Sequence, residues 1–321
     1  MKKGVVLVML LLIPFWSEAW GFYAHRLINR LAVMTLPPEM LVFYKRHIAY
    51  LTAQAVAPDR RRYAVEDEGP RHYIDLDVYG DSALFKVPHR WDQAVAQYTE
   101  DTLMAYGIVP WHLNLMRYQL TEAFKRGDAR AILRLSAEMG HYAADANVPL
   151  HTTQNYNGQL TGQHGIHGFW ESRVPELFAT DYDLFTGPPQ YLENPQEAIW
   201  QAVAQAHQAL DSVFALERQL TTEFAEDRKY SYEERGNLTV RVYSRDFSEA
   251  FQRGLQGQVE RQMLASIQLV SNLWYTCWVD AGQPDLAPLA SFKFSDQEEL
   301  QREQDSSADP QESISVRPHE F

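Results

Sequence analysis

Apolar positions along most of the chain recur at spacings of three and four, the period of a helix with one buried face. In residues 128–146, Ile132, Leu135, Met139 and Tyr142 form such a stripe, and Asp128 stands where an N-cap belongs. A longer stripe runs through residues 244–278: Phe247, Phe251, Leu255, Val259, Met263, Ile267, Val270 and Trp274. The same reading predicts helices over 22–36, 38–54, 91–106, 111–126 and 195–226, punctuated by Pro37-Pro38, Gly107 and Pro110. No convincing alternation predicts a strand. The expected class is all-α: a single-domain multi-helix bundle over residues 20–295, without internal repeats and with its chemistry held between helices.

Both ends depart from this pattern. Residues 1–19 (MKKGVVLVMLLLIPFWSEA) combine Lys2 and Lys3, an apolar run from Val5 to Phe15, and small residues at Ser17 and Ala19. That order predicts an export signal cleaved between Ala19 and Trp20, giving a secreted or periplasmic protein. The run is too short for a bilayer core, which needs roughly twenty apolar residues, so no membrane span is expected after processing. Residues 296–321 are acidic and nearly free of large apolar side chains, which predicts a disordered acidic tail.

Composition narrows the function. The 321 residues carry a formal charge of −13 and one cysteine, Cys277. A single cysteine excludes an intrachain disulfide framework and a cysteine-rich zinc site. The negative balance argues against a sequence-independent nucleic-acid binder, which uses Lys and Arg to displace phosphate counterions. It leaves room for an enzyme whose bound metals supply positive charge locally. There is no G-x-S-x-G elbow and no phosphate-binding P-loop.

Histidine and carboxylate spacing carries the chemistry. Three His-x-x-x-Asp/Glu pairs occur, His141/Asp145, His167/Glu171 and His207/Asp211. Residues four apart share a helix face, so an imidazole and a carboxylate can converge on one cation, a donor set that suits zinc. His151 follows Asp145 closely, and a loop with Gly158, Gly162 and Gly165 leads on to His167. This concentration of ligand types is a stronger signal than any one pair. His164 competes with His167, but the four-residue step to Glu171 favours His167. His207/Asp211 is expected to decorate a helix surface, and His47, His89, His112 and His319 to be structural or solvated. Asp75 and Asp77 are expected near the site or on the surface. Asn237-Leu-Thr239 is a glycosylation sequon.

Two further stretches extend the pattern: Trp20-Gly-Phe-Tyr-Ala-His25, and Pro58-Asp59 before Arg60-Arg61-Arg62, with His72 thirteen residues after Asp59. Together with the histidine pairs, this set resembles the superfamily of bacterial zinc-dependent phospholipases C and fungal single-strand-specific zinc nucleases. The resemblance implies three zinc ions. Asp59, His72, His141 and Asp145 would hold the first. The amine and carbonyl of a newly exposed Trp20, with His25 and the shared Asp145, would hold the second. His151, His167 and Glu171 would hold the third. The resemblance covers residues 20–171 and mixes the two branches. The step from Trp20 to His25 is nuclease-like, whereas Glu171 and the lack of a disulfide are phospholipase-like.

The implied activity is hydrolysis of phosphoric esters by a monomer, with Asp145 bridging two zincs that acidify a shared water. Asp59 would orient or deprotonate the nucleophile. Phe22 and Tyr156 are candidates to line a base or acyl pocket. Arg60 is a candidate for a substrate phosphate, although Arg60 to Arg62 also read as a solvated basic turn. The charge inclines the reading towards a phospholipid rather than a long polyanion. A single-strand nuclease or 3′-nucleotidase, and a non-catalytic zinc-binding exported protein, are the alternatives.

Overall fold

The computed structural model describes residues 22–62, 64–235 and 238–295. The expected leader, Trp20, the Asn237 sequon position, His319 and the acidic tail lie outside these residues. Six principal helices organise the rest: α1 (Phe22–Thr35), α2 (Val109–Arg126), α3 (Ala129–Asp145), α4 (Pro195–Glu223), α5 (Arg245–Gly254) and α6 (Gln258–Asp280). The class is all-α, as the periodicity predicts. None of the described helices is long and apolar enough to cross a membrane.

Helix α3 is the axis of the assembly, packed by α1, α2 and α6. Asp128 caps it, its Oδ1 accepting from the Ala131 N–H at 3.0 Å. Ile132, Leu133 and Met139 of α3 are fully enclosed, as are Leu120 and Phe124 of α2 and Ile267, Val270 and Trp274 of α6. Burying each such side chain stabilises the fold by about 1.5–3 kcal/mol. Two large polar side chains inside this core are matched: the Trp274 indole donates to the Ser136 carbonyl at 3.1 Å, and the Tyr44 hydroxyl meets Ser136 Oγ at 2.8 Å.

The contact between α1 and α3 is set by an asparagine on a glycine. Asn29 is fully buried and its Nδ2 donates to the carbonyls of Leu51 and Ala137 at 3.2 and 3.0 Å. A β-carbon at Gly140 would collide with the Asn29 side chain. The close approach permitted here brings the His25 ring of α1 onto the His141 ring of α3, stacked with centroids 4.1 Å apart.

Four expectations need correction. The run 38–54 is two short helices, Pro38–Tyr44 and Ile48–Ala53, followed by the 3-10 turn Gln54–Val56. The run 91–106 breaks into Trp91–Tyr98 and Glu100–Tyr106 at Thr99, whose φ of 69° cannot continue a helix but whose side chain caps the second segment. The run 244–278 breaks between α5 and α6, where Gln256 and Gly257 both take positive φ. Finally, Tyr230–Arg235 and Leu238–Tyr243 form an antiparallel hairpin with Tyr232 opposite Arg241 and Tyr230 opposite Tyr243. Val240 and Val242 alternate there as a strand face requires, but the run is short and charged, so the pattern is weak.

Candidate metal centre

Eight of the nine sequence-predicted ligands are brought together, although they come from segments spread over residues 25–171; the ninth, Trp20, lies outside the described residues. They fall into three sets whose ligand atoms approach one another within 4.8 Å: Asp59, His72 and His141; His25, His141 and Asp145; and His151, His167 and Glu171.

In the first set, His72 Nδ1 lies 3.0 Å from His141 Nε2 and 2.9 Å from Asp145 Oδ2. His141 Nε2 lies 3.3 Å from the same Asp145 oxygen, and Asp59 Oδ1 is 3.6 Å from His141 Nε2 and 3.8 Å from His72 Nδ1. In the third set, His151 Nε2 is 3.0 Å from His167 Nε2, and Glu171 Oε2 is 3.3 and 2.7 Å from these two nitrogens. Zinc with bonds of about 2.0–2.1 Å in a tetrahedron separates its ligand atoms by roughly 3.3 Å. The donor spacings therefore fit a cation of that size. His25 Nε2 sits between the sets, 3.4 Å from Asp145 Oδ1 and 3.3 Å from Glu171 Oε1. Asp145 thus turns one oxygen to the first set and the other to His25.

The backbone explains why these side chains converge. His141 and Asp145 occupy successive turns on one face of α3. Asp59 rides a five-residue helix, Ala57–Arg61, with Pro58 in its first turn. His72 ends the 3-10 turn Gly69–His72, and His151 lies in the 3-10 turn Pro149–Thr152. The segment carrying His167 and Glu171 opens into a π-turn over Phe169–Arg173, where the Val174 N–H reaches back five residues to the Phe169 carbonyl. Pro175 follows, and a proline ring crowds the carbonyl four residues earlier, here that of Glu171, so the helix widens at the ligand.

The loop between His151 and His167 is firmly braced. Asn155 Oδ1 accepts from the Leu160 N–H at 2.8 Å and Asn157 Oδ1 from the Gly165 N–H at 3.0 Å. Gln163 Nε2 donates to Glu217 Oε2 on α4 at 2.6 Å and to the Phe214 carbonyl at 2.9 Å. Lys229 completes the anchor, donating to Glu217 Oε1 at 2.7 Å. Asp77 receives the Thr153 hydroxyl at 2.7 Å and the Gln154 N–H, so it supports the loop rather than the ligand sets.

Burial sets the protonation states. It pushes the His141 imidazole down to about 3 and His72 well below its ordinary value, with the Arg62 charge adding to the effect at His72. Burial lowers His167 as well. These rings are therefore neutral, the form in which imidazole binds metal. Burial, followed by the neighbouring charges of Glu171 and Asp59, raises Asp145 well above the carboxylate range. At Glu171 burial acts in the same direction, but hydrogen bonds from His151, His167 and His25 outweigh it and hold the group well below its ordinary value. A pocket that gathers three carboxylates around neutral imidazoles calls for positive charge, and divalent cations fit that donor set.

The remaining candidates separate. His164 is exposed, outside the three sets. His207 is more than surface decoration: its Nδ1 lies 3.0 Å from the Thr152 hydroxyl, one residue from His151. His89 stacks on Trp200, and His112 packs edge-on to Tyr142. Tyr156 is half-buried with its ring edge-on to His167 at 5.9 Å, and half-buried Phe22 lies under the guanidinium of Arg60 at 5.4 Å. Cys277 is buried, and burial pushes its thiol up to about 12, far from nucleophilic use. Two arginines beside Arg60 are more closely tied to the centre. Arg62 is buried, with Nη1 4.0 Å from Asp59 Oδ1. Arg61 donates to Glu138 at 2.8 Å. The basic triplet is therefore only partly a solvated turn, which its local sequence could not reveal.

No family model matches the chain, and no curated protein matches it significantly. The centre is defined by its own geometry: a buried cluster of His, Asp and Glu groups able to hold metal ions.

Proposed function

We propose that the protein is a zinc-dependent hydrolase of phosphoric esters, phospholipase C-like, belonging to the superfamily its ligand order resembles. One observation carries the reading: eight ligand-type side chains from distant segments meet in adjoining sets, and Asp145 gives one oxygen to each of two of them. Zinc bound there supplies charge to hold phosphate oxygens and acidifies water near neutral pH.

The chain's own residues then act in distinct ways. Asp59 is the most exposed of the eight, with 21% of its side chain accessible, and so faces the approach. Its carboxylate orients the attacking water and accepts its proton. Arg60, laid over Phe22, presents its guanidinium to a phosphate arriving on that side, while buried Arg62 keeps a positive charge beside Asp59. Asp145 keeps the first and second sets at a fixed separation.

A second reading, a single-strand nuclease or 3′-nucleotidase, is favoured by the half-buried aromatics Phe22 and Tyr156, whose rings suit base stacking. The test is zinc per chain by elemental mass spectrometry, followed by a substrate panel. About three zincs, with hydrolysis of short-chain phosphatidylcholine or bis-nitrophenyl phosphate, is expected. Turnover confined to single-stranded DNA or nucleoside 3′-phosphates selects the second reading. Full loading without any hydrolysis leaves a non-catalytic zinc protein, and one zinc or fewer after loading overturns the metal assignment.

A further inference from the structure

Behind His72 lies a charged cluster that no ligand position accounts for. Glu68 is fully buried, four residues before His72. Its Oε2 accepts from Arg71 Nη1 at 2.8 Å, and its Oε1 accepts from Arg61 Nη2 at 3.2 Å and from the Tyr142 hydroxyl. Tyr142 follows His141 directly, and Arg61 lies two residues after Asp59. The cluster is therefore attached to both elements that carry the other ligands of the first set.

The imidazoles of the centre show what such a carboxylate can do. His141 points Nε2 at the first set while its Nδ1 donates to the Ala55 carbonyl at 2.8 Å. His151 points Nε2 at the third set while its Nδ1 donates to the His72 carbonyl at 2.6 Å. In each ring the outward hydrogen bond fixes the tautomer and frees the ligating nitrogen. His72 is turned the other way, with Nδ1 facing Asp145 and His141, so Nε2 carries the proton whenever Nδ1 ligates a cation. Nε2 is buried and has no hydrogen-bond partner among the described residues, and Glu68 Oε1 stands 3.8 Å away.

We propose that Glu68 is the positioning residue of the first ligand set, accepting the His72 Nε2–H when that set closes on a cation. The bond holds Nδ1 as the ligating nitrogen and fixes the ring plane. Arg61, Arg71 and Tyr142 keep both Glu68 oxygens in place so that the carboxylate cannot rotate away. The inference rests on the metal-binding reading above.

The test is stepwise zinc affinity by chelator competition and the visible spectrum of the cobalt(II)-loaded protein, for the wild type, E68Q, Y142F and H72A, alongside each melting temperature. E68Q is expected to weaken one binding step by about 10–100-fold, to shift the cobalt bands, and to leave the His151/His167/Glu171 step unchanged. Y142F is expected to weaken the same step by a few fold. If H72A loses that step while E68Q keeps it, Glu68 has no positioning role, although the metal centre stands. If H72A also binds normally, the metal reading itself fails. A uniform loss of all steps in E68Q that tracks its melting temperature shows a merely structural role and also overturns the proposal. Should E68Q not fold, Y142F decides: a loss confined to the one step supports the proposal, and none overturns it.

Discussion

The first and third ligand sets use the same chemical groups but are supported in opposite ways. The first set takes two of its ligands, His141 and Asp145, from the central helix α3, and ionic groups stand behind it: Arg61, Glu68, Arg71 and Glu138. The third set takes His151 from a 3-10 turn and His167 and Glu171 from a short helical turn that opens into a π-turn, and neutral amides, Asn155, Asn157 and Gln163, brace the loop between them. Regular secondary structure places ligands at the period of the helix. Where only a short helical turn is available, cross-bracing of the adjoining loop adds to the placement through many weaker bonds. The first mode concentrates dependence in a few residues, and the second spreads it.

The largest expected effect is at the residue shared between sets. Under the proposed function, D145N should cost two of three cations, leaving zinc near one per chain, and should take hydrolysis to background. That loss exceeds the 10–100-fold typical of a supporting partner. H167A should remove only the third cation, leaving zinc near two. Loss of all three in H167A would show that the sets do not load independently and would break the comparison.

The next effect concerns pH on the ionic side. Burial, with smaller contributions from Arg71 and Arg61, pushes the His112 imidazole down to about 3. Between that value and the ordinary 6.5, the unfolded chain holds a proton that the folded chain lacks, so stability falls as pH falls through this window. Thermal melts at a series of pH values should give H112Q a shallower acid slope than the wild type, by up to one proton, or about 1.4 kcal/mol per pH unit. Equal slopes would show that His112 does not stay neutral in the folded chain.

The smallest effect is expected on the loop side. Q163A removes three hydrogen bonds between the loop and α4, to Phe214, Glu217 and Arg218, while Lys229 still partners Glu217. A stability loss of about 0.5–1.5 kcal/mol per bond is expected in denaturant melts. The third binding step should weaken by a few fold, with the first unchanged. A larger loss than in H167A would mean that the loop, and not its ligands, governs that set.

Much of this was legible from the residues alone, and the reasons differ by element. Helix α3 was legible because its cap, its apolar stripe and its four-residue His/Asp step are all local. The breaks at Thr99 and at Gln256-Gly257 were hidden because positive φ at Thr and Gln runs against their intrinsic preference and is imposed by the surrounding fold. The candidate ligand order rests on the family resemblance, which the clustering of His141, Asp145, His151, His167 and Glu171 among turn residues prompted. The support of the centre could not be read: Glu68, Arg62 and Gln163 are ordinary surface residue types, and only long-range packing buries them. Asn29 on Gly140 is a contact across 111 positions with no trace in local pattern.

Cys277 is the chain's one cysteine, so no disulfide can join its distant parts. Under the proposed function, the ligand sets take that place. A cation in the first set ties residue 59 to residues 72 and 141, and one in the third ties 151 to 167 and 171. Such ties act as reversible crosslinks, and closing long loops removes freedom chiefly from the unfolded chain. Stripping the cations should therefore leave the α4–α6 packing intact while the segments before residue 75 open to proteases. Under that reading, metal supply would decide how long the chain survives in its surroundings.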